Sequence, residues 1–278
     1  MIYLCLAIFS SAMISIIMRI AQPRVKNPIG LLAGNYITCS VLALFLSLKE
    51  LSEISITALS TPAGLGILNG VFYLVGFVLM QWNTRHNGVT LSSAFMKLGI
   101  LVPTALSVIW FHEAPTFVQI LGFLLAIVAI VIINYQKGQT LGKNSWALLL
   151  MLLIGGMGDG MSKVYEVYGT PAFQNSFLLF TFSAALILCL IFMGSKNEKL
   201  GIAELIYGAA LGIPNFFASL FLLKSLDTVP AVVAFPTFSV AVILVVAAAG
   251  ILIFNEKLQR RQFFAGILIC SALALLNL

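Results

Sequence analysis

Charge is what this chain has least of. Only 9% of its 278 residues are Asp, Glu, Lys or Arg, against roughly 25% in a soluble domain. A water-soluble fold is therefore excluded for want of polar surface. Histidine is scarce as well: His86 and His112 lie at the ends of apolar runs, with no second histidine or cysteine at ligand spacing. No metal and no cofactor are expected. The four cysteines, Cys5, Cys39, Cys189 and Cys270, all fall inside apolar runs, where cysteine packs as a small apolar side chain, and they make no disulfide framework. A Walker A pattern is missing, which excludes ATP hydrolysis within this chain. One "GMGD" matches the G-x-G-D pattern of intramembrane aspartyl proteases. That chemistry needs two carboxylates on one water, and the only other aspartate is Asp227, near the end of another run. No nucleophile or acid–base constellation marks an enzyme.

Long apolar runs are what the chain has instead. Residues in the apolar set make up 61% of it. They gather into ten runs, approximately 1-20, 28-48, 63-82, 88-111, 117-135, 146-168, 172-193, 202-223, 229-254 and 262-277. Each can cross about 30 Å of hydrocarbon as a helix. The predicted fold class is an all-α integral membrane protein with ten transmembrane helices, located in the cell membrane. The first run has no basic segment before it and Arg19, Arg24 and Lys26 after it, so it reads as a retained helix and not a cleaved signal.

The net charge of +6 has a topological explanation. Eleven of the fifteen basic residues lie at alternate connections, from Arg19, Arg24 and Lys26 to Lys257, Arg260 and Arg261. Basic residues concentrate on one side of a membrane protein in this way. Nucleic acid is not a partner, and the count places both termini outside.

The chain also repeats itself. A shift of 143 residues lays "WFHEAPTFVQILGFLLAIVAIVIIN" over "IFNEKLQRRQFFAGILICSALALLN", matching Phe111 with Phe254, Glu113 with Glu256, Gln119 with Gln262 and Asn134 with Asn277. Upstream, Phe95 matches Phe238 and Ala105 matches Ala248. Two five-helix repeats are expected, 1-135 and 144-278, forming one transmembrane domain. Five is odd, so the halves enter the membrane from opposite sides as an inverted repeat, an arrangement that suits alternating access to a midplane site.

Ten helices as five plus five, with a glutamate connection and a Q-x-x-G opening the last helix of each half, resemble the EamA-type, ten-helix branch of the drug/metabolite transporter superfamily. The first copy, Glu113, Gln119 and Gly122, fits this pattern; the second, Glu256, Gln262 and Ala265-Gly266, moves its glycine by one. The resemblance implies transport of small metabolites through a central cavity lined mainly by helices 1, 3, 4, 6, 8 and 9. It also implies that both termini are cytoplasmic, the reverse of the charge count.

Polar residues within the runs are the candidate site. Lys97 lies nine residues beyond Gly88, about 13 Å deep at 1.5 Å per residue, and a membrane lysine normally faces a bundle interior or water. Its repeat equivalent is Val240, so the charge departs from the repeated scaffold. Asp159 is a second deep charge, able to neutralise Lys97 or to bind a coupling proton or cation. Lys163 and Glu166 follow it at helical spacing and can share its face. A shift of 144 matches Arg19 with Lys163, and the two are expected to anchor or gate, with basic ends snorkelling toward headgroups. The glycines at 155, 156, 158 and 160 permit close helix approach or a local break. Asn69 and Asn215 need partners when buried. Tyr73, Phe77, Phe95, Phe217 and Phe238 supply rings on helices that the resemblance places around the cavity. Pro103, Pro214 and Pro236 are expected to kink their helices.

The expected function is secondary transport of a small organic metabolite, an amino acid or similar solute, with an anionic group favoured if Lys97 is unpaired. The alternative is a non-transporting membrane subunit or lipid-handling scaffold on the same fold. Partners are a small-molecule substrate, a coupling proton or cation and membrane lipids; the oligomeric state is a monomer or weak homodimer.

Overall fold

The computed structural model describes residues 1–53, 56–134, 145–254 and 260–278. Lys257 and Glu256, named above, lie outside them, as do the basic connection residues Lys137 and Lys143. The described residues form α-helices α1 (Ile2–Ala21), α2 (Pro28–Glu53), α3 (Ile56–Asn87), α4 (Val89–Leu98), α5 (Leu101–Ile109) and α6 (Phe117–Asn134). They continue with α7 (Ser145–Tyr168), a 3₁₀ turn at Pro171–Phe173, α8 (Gln174–Ser195), α9 (Ile202–Leu226), α10 (Ala231–Leu252) and α11 (Arg260–Leu276). Eight spans are long and apolar enough to cross a membrane, with α4 and α5 counted together; α6 and α11 give two shorter apolar helices. The fold is an all-α membrane bundle, as the hydropathy pattern requires.

Local chemistry explains several boundaries. Thr116 and Gln119 form a reciprocal capping box at the start of α6: the Thr116 N–H donates to Gln119 Oε1 at 3.0 Å and the Gln119 N–H to Thr116 Oγ1 at 3.2 Å. Two otherwise unpaired donors are satisfied together. Gly88, with φ of 83°, turns the chain into α4 in a conformation that costs other residues energy.

Two compact units divide the chain, and each draws on both sequence halves. The first comprises Met1–Leu74 and Val164–Asp227, the second Val75–Lys163 and Thr228–Leu278.

In the first unit α2 packs on α8 and α9, and α1 on α9. Glycines set the closeness of these contacts. A Cβ on Gly208 would lie 2.7 Å from the Gly34 Cα, and one on Gly212 only 2.7 Å from the Asn35 carbonyl oxygen. Removing hydrophobic driving force leaves dispersion to hold membrane helices together, and close backbones maximise it. Carboxylates hold the ends. Glu50 accepts hydrogen bonds from Asn175 N–H and Ser176 N–H, at 3.3 and 2.7 Å, where α8 begins. Glu204 accepts from Lys26 N–H and Asn27 N–H, at 3.1 and 3.2 Å, just before α2. Anions at helix N-termini meet unpaired donors and a favourable dipole.

In the second unit α6 packs on α11, and α10 on α5 and α11. Its core contains Ala126, Ala129, Ile130, Val240, Ile269 and Ala272, with Leu98 packed against them. Gly122 meets α11: a Cβ there would lie 3.0 Å from Leu275 Cβ and Leu276 Cγ. Both residues of the first Q-x-x-G copy thus have structural roles.

Candidate functional site

The fourth apolar run is not one helix. Pro103 has no N–H for the Gly99 carbonyl four residues back, and its ring crowds that oxygen. The Val102 N–H instead bonds Gly99 O at 3.0 Å, and the Gly99 N–H bonds Met96 O at 3.1 Å. This three-residue spacing tightens the chain and separates α4 from α5. Thr104 Oγ1 donates to the Ile100 carbonyl at 2.9 Å, capping a group at the break. By contrast α9 and α10 run through Pro214 and Pro236 without interruption.

Helix α7 presses on this break. Gly156 is buried where a Cβ would overlap the Gly99 carbonyl oxygen and lie 2.6 Å from Val102 Cβ. One turn on, a Cβ at Gly160 would sit 3.1 Å from Leu106 Cδ1. The glycine-rich stretch of α7 thus provides close approach, and the break lies in the partner it approaches.

Lys97 and Asp159 flank this contact. Each is exposed, each lies within an apolar span, and their charges interact. Among the described residues no direct ion pair joins them, so both keep capacity for a third group. Val240, the repeat equivalent of Lys97, is fully buried in the second unit's core. The same register position therefore packs in one half and stays accessible in the other. An ionised lysine or aspartate turned toward hydrocarbon would cost several kcal/mol.

Lys163 is placed differently from the snorkelling cation expected. It is buried, 7% exposed, with Nζ 2.8 Å from Glu113 Oε1 and 5.7 Å from the centre of the Phe111 ring. Glu113 also accepts from the Ala231 and Val232 N–H groups at 3.2 and 2.8 Å, capping α10. The preceding His112 turns through a left-handed conformation, φ 54°. Glu113 thus caps a helix that begins 118 residues away along the chain. Asp159 is exposed and Lys163 buried, so the helical face they were expected to share is split between two environments. Arg19 is exposed at the end of α1, and Glu166 is half-buried; both make polar interactions.

The remaining candidates fall on both units. Phe77, Phe95 and Phe238 are half-buried in the second. In the first, Tyr73 packs on Phe182, ring centres 6.1 Å apart, and Phe217 stacks on Phe221 at 5.5 Å. Asn69 is 1% exposed, with a buried Oδ1 that accepts no hydrogen bond. Asn215 donates to Asn35 Oδ1 at 3.2 Å and approaches Cys39 Sγ at 3.7 Å; Cys39 donates in turn to the Gly212 carbonyl at 3.2 Å. This cluster joins α2 to α9 beside Pro214. Asn215 is thus occupied in packing, and Cys39 is a hydrogen-bond donor where only an apolar filler was expected. The residues missed, Asn35 and Gly99, carried a signal in one case only: glycine four residues before a proline.

A protein-family model, the EamA-like transporter family, matches residues 1–135 and 142–278. An uncharacterised protein from Haemophilus influenzae is 24% identical over 279 residues, covering 97% of this chain and 95% of the relative. A crystal structure superposes with a TM-score of 0.75 over 99% of this chain and 94% of that one, at 14% identity; that likeness shows the fold. With the family model spanning nearly every residue of a multi-pass helical bundle, the chain belongs to the EamA-like transporter family, within the drug/metabolite transporter superfamily.

Proposed function

We propose that this protein is a secondary transporter, not an enzyme, that moves a small zwitterionic metabolite, an amino acid or similar solute, across the cell membrane by alternating access. The reading rests on one observation: Lys97 and Asp159 are exposed, mutually interacting charges inside apolar spans. Lys97 matches a carboxylate or other anionic group and Asp159 an ammonium group. Together they leave the site near neutral, which favours a solute carrying both charges over a simple anion. Phe77, Phe95 and Phe238 supply apolar surface in the same unit. A site of this kind, mostly apolar with a few placed polar groups, is the common form for small molecules. Under this reading, residues 1–135 and 144–278 are inverted repeats that exchange conformations, and Asp159 also carries the coupling proton or cation.

The test is a thermal-stability screen of purified protein against amino acids, quaternary amines, nucleosides and sugar phosphates, since a bound ligand raises the unfolding temperature. Stabilisation by amino acids, lost on Lys97→Ala and on Asp159→Asn, supports the reading. Stabilisation by sugar phosphates alone, or amino-acid stabilisation unaffected by both substitutions, rejects it.

A further inference from the structure

A second surface, in the first unit, is built from two connections. The segment after α1 carries Arg24 and Lys26, and the segment between α8 and α9 carries Lys196 and Lys199; all four are exposed. The two connections are tied together. Asn27 Nδ2 donates to the Lys199 carbonyl at 3.4 Å, and Glu204, at the start of α9, receives the Lys26 and Asn27 N–H groups. Asn27 Oδ1 meanwhile accepts from Ile29 and Gly30 N–H at 3.0 and 3.1 Å, fixing the turn into α2.

The acids within this surface point inward. Glu204 is 6% exposed and spent on backbone donors. Glu198 is half-buried, with an Oε2 that is buried and unpartnered. Asn197 adopts a left-handed conformation, φ 52°, at the turn that separates Lys196 from Glu198. The outward face is therefore cationic, although the sequence interleaves acids with bases. Lys196 Nζ sits 4.3 Å from the centre of the Phe192 ring. Exposed apolar side chains continue the surface along the helices: Ile20 at 39%, Ile191 at 63% and Ile202 at 79%. A cationic rim above apolar helix flanks matches a molecule with an anionic head and acyl chains.

We propose that the α1–α2 and α8–α9 connections form a binding surface for the headgroup of an anionic phospholipid. Pre-organisation by Glu204 and Asn27 distinguishes it from scattered surface lysines: the cations are held on joined backbone before the lipid arrives. Arg24 is already directed, its Nη1 donating to the Ile20 carbonyl at 2.7 Å, which leaves other guanidinium donors for phosphate. The inference is independent of what the protein transports.

The experiment compares phosphatidylglycerol with phosphatidylcholine of identical acyl chains, added to the full-length protein in neutral detergent. Thermal unfolding and native mass spectrometry are the readouts. Phosphatidylglycerol is expected to raise the unfolding temperature and to persist as an adduct. Each lysine near an anionic headgroup is worth roughly five-fold in affinity, so Lys26→Gln/Lys196→Gln/Lys199→Gln should weaken retention about a hundred-fold. Arg85→Gln, removing an exposed cation of the other unit, should leave retention unchanged. Equal stabilisation by phosphatidylcholine, equal retention by the triple variant, or the same stabilisation from soluble glycerol phosphate alone would overturn the proposal.

Discussion

Lys163 on α7 lies 2.8 Å from the Glu113 carboxylate, and that carboxylate also receives the first two N–H groups of α10. One acid thus serves a buried cation and a helix N-terminus at once. The two demands reinforce each other, because both favour the ionised carboxylate in the same place. Their removal is not symmetrical, however, and the asymmetry can be measured.

Glu113→Ala removes the carboxylate that pairs with buried Lys163 and uncaps α10. Losing one member of a buried pair costs about 3 to 5 kcal/mol, and a cap about 1; partial exposure of Glu113 brings the expected total to about 3. Lys163→Met leaves the carboxylate on the α10 donors and should cost about half as much. Unfolding curves in detergent check the order. Equal costs would mean that the cap contributes nothing.

Neighbouring glycines on α7 should respond in opposite ways. Gly156→Ala places a methyl group onto the Gly99 carbonyl and should destabilise by about 2 kcal/mol or more, as overpacking does. Gly155 has nothing within 4 Å of its added Cβ, so Gly155→Ala gains helix propensity and should be neutral or stabilising by up to about 1 kcal/mol. Parallel thermal unfolding of the two variants decides it.

Lys97→Val installs the residue found at the repeat equivalent, position 240. Lys97 is exposed, so stability should change by less than about 1 kcal/mol. Uptake into reconstituted vesicles should fall at least ten-fold. Unchanged uptake with folded protein would remove Lys97 from the transport site.

Pro103→Ala restores a donor that can reach the Gly99 carbonyl. Hydrogen exchange at residues 100 to 103 should slow as α4 and α5 merge, and transport should slow with it if the break moves during the cycle. Unchanged exchange would show that Gly156, and not the proline, holds the break open.

Much of this structure is local and therefore legible. A bilayer demands about 20 apolar residues per helix, so run lengths alone mark the spans; a Thr–Gln pair at capping spacing marks the start of α6; and Pro103 announces a distortion. Which face of each helix is buried is another matter. In a soluble protein the polar stripe points to water, whereas here lipid and protein interior are equally apolar, and periodicity loses its meaning. Lys97 shows the consequence. Its deviation from the repeat is visible in the residues, but only packing places Val240 inside a core and Lys97 on an accessible surface beside Asp159.

Partners distant along the chain were likewise beyond reading. Asn215 meets Asn35 across 180 positions, and Glu113 meets α10 across 118; nothing in either segment names the other. What the sequence determined by itself was the membrane, the apolar runs that form its helices, the repeated motif and the identity of its few charges, because transfer of each segment into hydrocarbon depends on that segment alone. What the tertiary structure decided was which charges are spent on holding helices, as with Glu113, Lys163 and Glu204, and which stay available, as with Lys97 and Asp159. Buried charges are stable only when matched, and the match is made by side chains that folding alone brings within 3 or 4 Å.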